Sequence, residues 1–162
     1  KYQNFKNFIN KNRNNIKLVI FSQSGTKLLT NNLVLPVDDI KLDRTLKFIN
    51  ELKLNKKLLW IGPNIEPNIK MNFSALKIIL DKKYDLYENK FVYSVNDKLK
   101  LLSKMNKIQY LDRIMLLNYN PDRDFYKNNR FTYRDTDHWS NYGQIYFGEK
   151  IFLSEDFNNI LY

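Results

Sequence analysis

The chain has 162 residues, a formal net charge of +10, no cysteine and a single histidine. This length is typical of one domain and 43% of the residues are hydrophobic, so we expect residues 1–162 to form a single packed domain. The absence of cysteine excludes a disulfide framework and a thiolate metal site. No apolar stretch approaches the roughly 20 residues that cross a bilayer, so the chain itself is expected to be soluble.

The positive charge is spread along the chain rather than gathered into a basic run. Its lysines lie among many asparagines, which is typical of a solvated surface. Arginine, the residue best suited to bidentate phosphate contacts, is scattered, at Arg13, Arg44, Arg113, Arg123, Arg130 and Arg134. We therefore expect no nucleic-acid partner. A basic nucleic-acid module remains an alternative, and it predicts binding that falls steeply with salt.

The first strand signal is the β-branched and aromatic run from Ile16 to Phe21. It predicts a buried strand that ends at a loop containing Ser24 and Gly25. Apolar residues upstream of this strand indicate an earlier helix: Phe5, Phe8 and Ile9.

The next segment reads as a helix followed by a strand. Apolar residues recur at three- and four-residue intervals, with Asp38 or Asp39 able to cap the first turn: Leu42, Leu46, Ile49 and Leu52. Lys57 to Ile61 then predicts a second strand that ends at Gly62-Pro63, and Pro67 keeps the following segment extended. A second loop therefore opens at the end of a strand.

The third helix and strand complete an alternating pattern. Another apolar stripe predicts a helix, with Ser94 and Asp97 spaced like a capping box: Val95, Leu99 and Leu102. Ile108 to Asp112 predicts the next strand. Strands separated by helices favour an α/β fold of three layers, α/β/α, around a mostly parallel sheet.

The last third of the chain combines an irregular passage with a closing helix. Residues 113–133 predict a long irregular segment that shapes a substrate surface. Ser140 is predicted to cap the closing helix, in which four residues share helical spacing: Tyr142, Ile145, Glu149 and Phe152.

The only histidine, His138, lies in the loop before that helix. Imidazole is the one side chain whose unperturbed pKa, about 6.5, allows proton exchange near neutral pH. Asp135, three residues earlier, has the reach to orient the ring. The alternative is that His138 is a solvated loop residue without a catalytic role. In an open α/β sheet, ligands bind beyond the carboxyl ends of the strands, so His138 is expected to face the loops after Phe21 and Ile61.

This stretch resembles a known family. Asp135 to Ser140, followed by Asn141 to Gly143, is similar to the closing Asp-x-x-His block of SGNH (GDSL-like) hydrolases, particularly the domain fused behind membrane acyltransferase-3 proteins. Trp139 stands where leucine is common in that block. At lower specificity, Leu58 to Pro67 resembles the family's strand that ends in a Gly-Pro turn. The resemblance implies a flavodoxin-like SGNH fold that lacks its first strand.

The resemblance also implies a mechanism and a setting. His138 would act as general base and then acid, Asp135 would orient it, and Trp139 would either pack or bind substrate. Asp137 and Ser140 are assigned non-catalytic roles: Asp137 as a solvated or hydrogen-bonding neighbour and Ser140 as a helix cap. The implied activity is O-acetyl or related acyl transfer to an envelope polysaccharide on the periplasmic or extracytoplasmic side. Its partners would be an acyl donor, the polysaccharide and a membrane acyltransferase domain, without metal or cofactor.

The family's nucleophile, the serine of a Gly-Asp-Ser turn, has no counterpart in the chain. Two explanations remain open: the chain is the later portion of an N-terminally truncated domain, which we favour, or Ser24 is a displaced nucleophile. Ser24 and Gly25 are also candidate contributors to the oxyanion loop, through the Gly25 amide for instance.

Other functions also remain open. A carbohydrate esterase of the same fold shares the first half-reaction, and a non-catalytic α/β binding domain would have lost the nucleophile. An alginate-acetyltransferase-like protein is a weaker match, because its nucleophile follows the histidine and only Ser154 lies beyond Ser140 here.

Overall fold

The computed structural model describes residues 2–30, 37–54, 57–66, 90–135 and 138–161, and it has a mixed α/β fold. Its centre is a parallel three-stranded sheet in the order β1 (Val19–Ser22), β2 (Leu58–Ile61) and β3 (Gln109–Leu111). Since parallel neighbours require long crossovers, helix-length segments separate the strands along the chain. The predicted α/β class and parallel sheet are confirmed.

Helices precede, separate and follow the strands. α1 (Tyr2–Asn12) precedes β1, α2 (Asp39–Glu51) precedes β2, and α3 (Phe91–Met105) precedes β3. A short 3-10 helix (Gly25–Leu28) follows β1. The elements after β3 are α4 (Arg113–Leu117), α5 (Pro121–Asp124), β4 (Tyr126–Lys127), β5 (Arg130–Phe131), α6 (Asn141–Phe152) and α7 (Glu155–Leu161).

The central strand β2 is buried on both sides. Successive residues of a strand point to opposite faces, and here they enter different clusters. Leu58 and Trp60 pack in a cluster with apolar residues of α2 and α3, whereas Leu59 packs with Leu111 of β3 and Phe157 of α7. This explains why the sequence of β2 is continuously apolar rather than alternating.

Strand β1 is an edge within the described sheet. It pairs with β2 alone, and the side chain of Ile20 is 51% exposed on it. A cavity of about 540 Å³ lies beside this strand, lined in part by Tyr2, Phe21, Gln23 and Phe48. The edge therefore has both unpaired backbone groups and uncovered apolar surface among the described residues.

Several predictions of local structure are confirmed. Helix α1 occurs where an early helix was expected, and the Asp38 side chain caps α2 by accepting from the Lys41 amide at 3.0 Å. The four predicted apolar residues of the α2 stripe are all buried: Leu42, Leu46, Ile49 and Leu52. Pro67, which was predicted to keep its segment extended, lies outside the described residues.

Two predictions about helix ends and faces are wrong. The capping box at Ser94 and Asp97 does not form, because α3 already begins at Phe91 and both residues lie inside it. In α6 the buried residues are Gly143 and Phe147, whereas Ile145 is exposed. Aromatic packing from neighbouring elements, rather than the apolar spacing of α6, decides which face is covered.

The predicted irregular passage from 113 to 133 is also wrong. It contains α4, α5 and the antiparallel hairpin of β4 and β5, in which Tyr126 pairs with Phe131. Asn128 and Asn129 make the turn with positive φ angles of 50° and 59°. Asparagine tolerates this left-handed conformation, which matches the twist of a two-residue hairpin.

Candidate active site

His138 lies in the loop between β5 and α6, and backbone interactions close this loop on itself. Tyr133 and Trp139 form an antiparallel bridge, and the Arg134 amide donates to the His138 carbonyl at 3.0 Å. Residues 136 and 137, including the predicted neighbour Asp137, lie outside the described part of the chain. The closure fixes the backbone of His138 relative to the hairpin before it.

Asp135 and His138 form the pair that the sequence predicted. Asp135 Oδ1 accepts a hydrogen bond from the His138 amide at 2.7 Å and lies 2.9 Å from the ring atom Nδ1, and Oδ2 lies 3.1 Å from Nδ1. A carboxylate at Nδ1 favours the tautomer with its proton on Nδ1, so the lone pair is on Nε2. This is the orientation that a general base requires.

The pair is accessible to solvent. The side chains of His138 and Asp135 are 56% and 45% exposed, so the ring is oriented without being enclosed. Arg134 Nε lies 3.4 Å from Asp135 Oδ2 and is a cationic neighbour of the carboxylate. Such a pair can move a proton.

Ser140 is the N-cap of α6, as predicted. Its Oγ accepts from the Gly143 amide at 3.0 Å and donates to the Phe131 carbonyl at 2.6 Å. The hydroxyl proton is thus engaged by a carbonyl. At Gly143 an added Cβ would overlap the Thr132 carbonyl oxygen, so this close approach requires glycine.

Ser140→Ala is expected to lower the free energy of unfolding by about 1–2 kcal/mol, because it removes the cap and the bond to Phe131 together. Chemical denaturation of the two proteins measures this difference. Ser154→Ala is the matched control, since its hydroxyl caps the shorter helix α7. A larger loss in the control would contradict the role of Ser140 in holding the His138 loop.

Trp139 packs within the fold. Its ring centroid lies 4.9 Å from that of Phe147, and Arg113 Cζ lies 5.4 Å from the centroid of the indole. The side chain is partly buried, so its role in packing is visible in these contacts. Its predicted role in substrate binding stays a prediction.

Ser24 and Gly25 lie in the loop after β1 and connect it to the loop after β2. Ser24 Oγ donates to Glu66 Oε1 at 2.8 Å, and Glu66 is buried. A Cβ added to Gly25 would lie 3.0 Å from Pro63 Cβ and 3.1 Å from a methyl group of Val92, so glycine permits close packing here. The Ser24 hydroxyl donates to a carboxylate, which is not the geometry of a serine activated by histidine.

The loops at the carboxyl edge of the sheet converge, as the sequence argument expected. Tyr133 Oη, from the His138 loop, donates to the Ile65 carbonyl after β2 at 2.6 Å. Arg113, which follows β3, places Nη2 3.5 Å from Ser22 Oγ at the end of β1 and stacks on Trp139. The described structure thus brings the His138 loop to the edge where α/β proteins bind ligands.

Sequence reasoning missed Arg113, Tyr133 and Glu66 at this edge. Burial lowers the pKa of Arg113 to about 10 and raises the pKa of Tyr133 to about 12. Their positions in the sequence could have indicated that two of them lie at this edge, because Arg113 follows a predicted strand and Glu66 belongs to the segment after Gly62. Nothing in one sequence indicates that Tyr133 and Glu66 are buried and Arg113 partly buried.

Comparison with protein-family models, with curated proteins and with solved structures finds no match to this chain. Among the described residues, no group of three or more His, Asp or Glu side chains is arranged to hold a metal ion. In the same part of the chain, every helix is too short or too polar to cross a membrane.

Proposed function

We propose that this chain is the histidine-bearing portion of an SGNH-type O-acyltransferase with a three-layer, flavodoxin-like fold. The observation that carries the proposal is the Asp135 carboxylate held against Nδ1 of His138, on a loop at the carboxyl edge of a parallel sheet. In this proposal His138 is the general base and acid, and Asp135 orients it.

The proposed reaction has two half-reactions. Nε2 of His138 takes the proton of a serine hydroxyl while the serine oxygen attacks the carbonyl carbon of an acyl ester, and the tetrahedral intermediate collapses when His138 returns the proton to the leaving oxygen. An acceptor hydroxyl then attacks the acyl-serine, with His138 taking its proton and restoring the serine. A polysaccharide hydroxyl as acceptor gives transfer, and water gives the related esterase reaction.

The nucleophile is proposed to lie outside these 162 residues, on a strand that pairs with the edge of β1. Support comes from the absence of Gly-Asp-Ser in the chain, from the bond between Ser24 and Glu66, and from the exposed Ile20 on that edge. A parallel strand there would end at the same edge as the His138 loop. The setting implied is extracytoplasmic, beside a membrane acyltransferase domain.

A non-catalytic α/β binding domain is the second candidate, favoured by the missing Gly-Asp-Ser turn. It keeps the sheet and the Asp135–His138 pair as structural features. It predicts no covalent chemistry at any serine of the full-length protein.

A fluorophosphonate probe separates these candidates, because it labels only serines activated as nucleophiles. We expect labelling of a Gly-Asp-Ser serine in the full-length protein, together with release of p-nitrophenol from its acetate ester. Labelling of Ser24 would replace the external nucleophile with a displaced one. Absence of both labelling and turnover would overturn the enzymatic proposal in favour of the binding domain.

A further inference from the structure

Arg113 is a partly buried cation at the same edge of the sheet as the His138 loop. Its Nε atom is shielded from solvent and has no hydrogen-bond partner among the described residues. Its one hydrogen bond there is the long contact of 3.5 Å from Nη2 to Ser22 Oγ. A guanidinium offers five donors, and Nη2 is the one nitrogen of Arg113 with a hydrogen-bond partner among the described residues.

No carboxylate in the described part of the chain lies within ion-pair distance of Arg113. Glu66 acts on it only at longer range, and Glu66 accepts from Ser24. Partial burial of a charge is costly unless the charge is paired, so a half-buried guanidinium without a carboxylate partner among the described residues is suited to bind an anion.

Trp139 completes the surroundings of this cation. Arg113 Cζ lies 5.4 Å from the Trp139 ring centroid. Trp139 directly follows His138 in the chain. The unpartnered Nε of Arg113 and an aromatic face therefore lie beside the loop that carries His138.

We propose that Arg113, supported by Trp139, binds an oxyanion group of the acyl acceptor, such as the carboxylate of an acidic sugar or a phosphate. The planar guanidinium fork matches such groups in a bidentate manner. This inference rests on the proposed function for its link to acyl transfer, and it assigns that reaction an anionic acceptor. The binding of the anion itself does not depend on turnover.

The binding test uses NMR of the two tryptophan indoles in the 162-residue chain, titrated with sodium glucuronate and, separately, with inorganic phosphate. We expect a saturable shift of the Trp139 indole, with the buried Trp60 indole as internal reference. Equal ionic strength of sodium chloride corrects for screening. Saturation with phosphate but not glucuronate supports the site and assigns it a phosphate-bearing acceptor.

Arg113→Gln is expected to weaken binding by about tenfold or more, because it removes the charged fork. Arg44→Gln is the matched control, since it removes the same charge from an exposed position on α2. Arg113→Lys keeps the charge but loses the fork, and it replaces Arg113→Gln if that variant fails to fold. Unchanged binding in the Arg113 variant, or no saturable shift in the original chain, overturns the proposal.

Activity in the full-length protein separates this inference from the proposed function. Arg113→Gln is expected to lower kcat/KM for an anionic acceptor about tenfold more than kcat/KM for a neutral acceptor. Arg113-dependent anion binding in a protein without acyl transfer would remove only the proposed reaction. Equal losses for anionic and neutral acceptors would refute the specificity assigned to Arg113.

Discussion

Replacing His138 with alanine in the full-length protein is expected to lower kcat/KM for acyl transfer from p-nitrophenyl acetate by about 10⁴-fold. The chain contains no second histidine to substitute as proton carrier. Because His138 is 56% exposed and lies in a loop closed by backbone bonds, its removal should leave the thermal unfolding midpoint nearly unchanged. Rate measurements and thermal melts of the same samples distinguish loss of chemistry from loss of fold.

Asp135→Asn separates the orienting role of the carboxylate from its role in the loop. The amide oxygen of asparagine can still accept from the His138 backbone, which preserves the turn. Its NH₂ group opposes the proton on Nδ1 and favours the wrong tautomer, so we expect kcat to fall by about 10³-fold. Asp43→Asn, at an exposed position on α2, makes the same change of charge away from the loop and should have no effect.

Full activity in His138→Ala would remove the histidine from the mechanism and leave the Asp135–His138 contact as a structural feature of the loop. Activity lost in His138→Ala but retained in Asp135→Asn would keep the base and discard its orienting partner. The first result tests the imidazole ring of His138 and the second tests the carboxylate of Asp135. Together they show which of the two residues has been given the wrong role.

The positions of the three sheet strands and of the α2 helix were predictable because their signals are local, but the prediction that β1 is buried is wrong, because it is an edge strand with Ile20 exposed. Burial can be predicted directly from a continuous apolar run, such as Leu58 to Ile61, and from an apolar helical stripe, such as Leu42, Leu46 and Ile49. The β4–β5 hairpin was missed because each strand has two residues, too few for an alternating pattern. Its only signal is the Asn128-Asn129 turn, which the general abundance of asparagine concealed.

The contacts of the candidate site between residues close in sequence were predictable, whereas its contacts between residues far apart in sequence were not. Asp135 and His138 are three residues apart, a spacing that allows one carboxylate to meet both the amide and the ring. Arg113 meets Ser22 across 91 positions of sequence, and its desolvation arises only when the strand ends assemble. The burial of a charged residue cannot be predicted from its sequence position, so this part of the site became visible only in the three-dimensional structure.

Asp124 is a fully buried carboxylate that joins α5 to α6. Its oxygens accept from Tyr146 Oη at 2.7 Å, from Arg123 Nε at 2.9 Å and from the Asn120 amide at 2.9 Å. Lys150 Nζ lies 3.5 Å away. Burial alone would raise the pKa of Asp124, but the hydrogen bonds from Arg123, Asn120 and Tyr146 hold it well below its usual range.

Asp124→Ala is therefore expected to lower the free energy of unfolding at pH 7 by about 3–5 kcal/mol, because it leaves several partners of a buried charge unsatisfied. Urea denaturation monitored by circular dichroism measures the loss. Asp43→Ala is the control, since it removes an exposed carboxylate and should cost less than about 0.5 kcal/mol. A similar small effect at both positions would show that the Asp124 network contributes little to stability.

The same carboxylate predicts the direction of pH dependence. Because the folded protein holds the pKa of Asp124 below its ordinary value of 3.8, the linked stability is fully present above about pH 5. As the pH falls below that value the unfolded chain takes up a proton first, so the stability contributed by Asp124 declines by at most about 1.4 kcal/mol per pH unit. The difference between the original protein and Asp124→Ala should therefore shrink from pH 5 to pH 3. A difference that stays constant over this range would mean that the charge of Asp124 is not what stabilises the junction of α5 and α6.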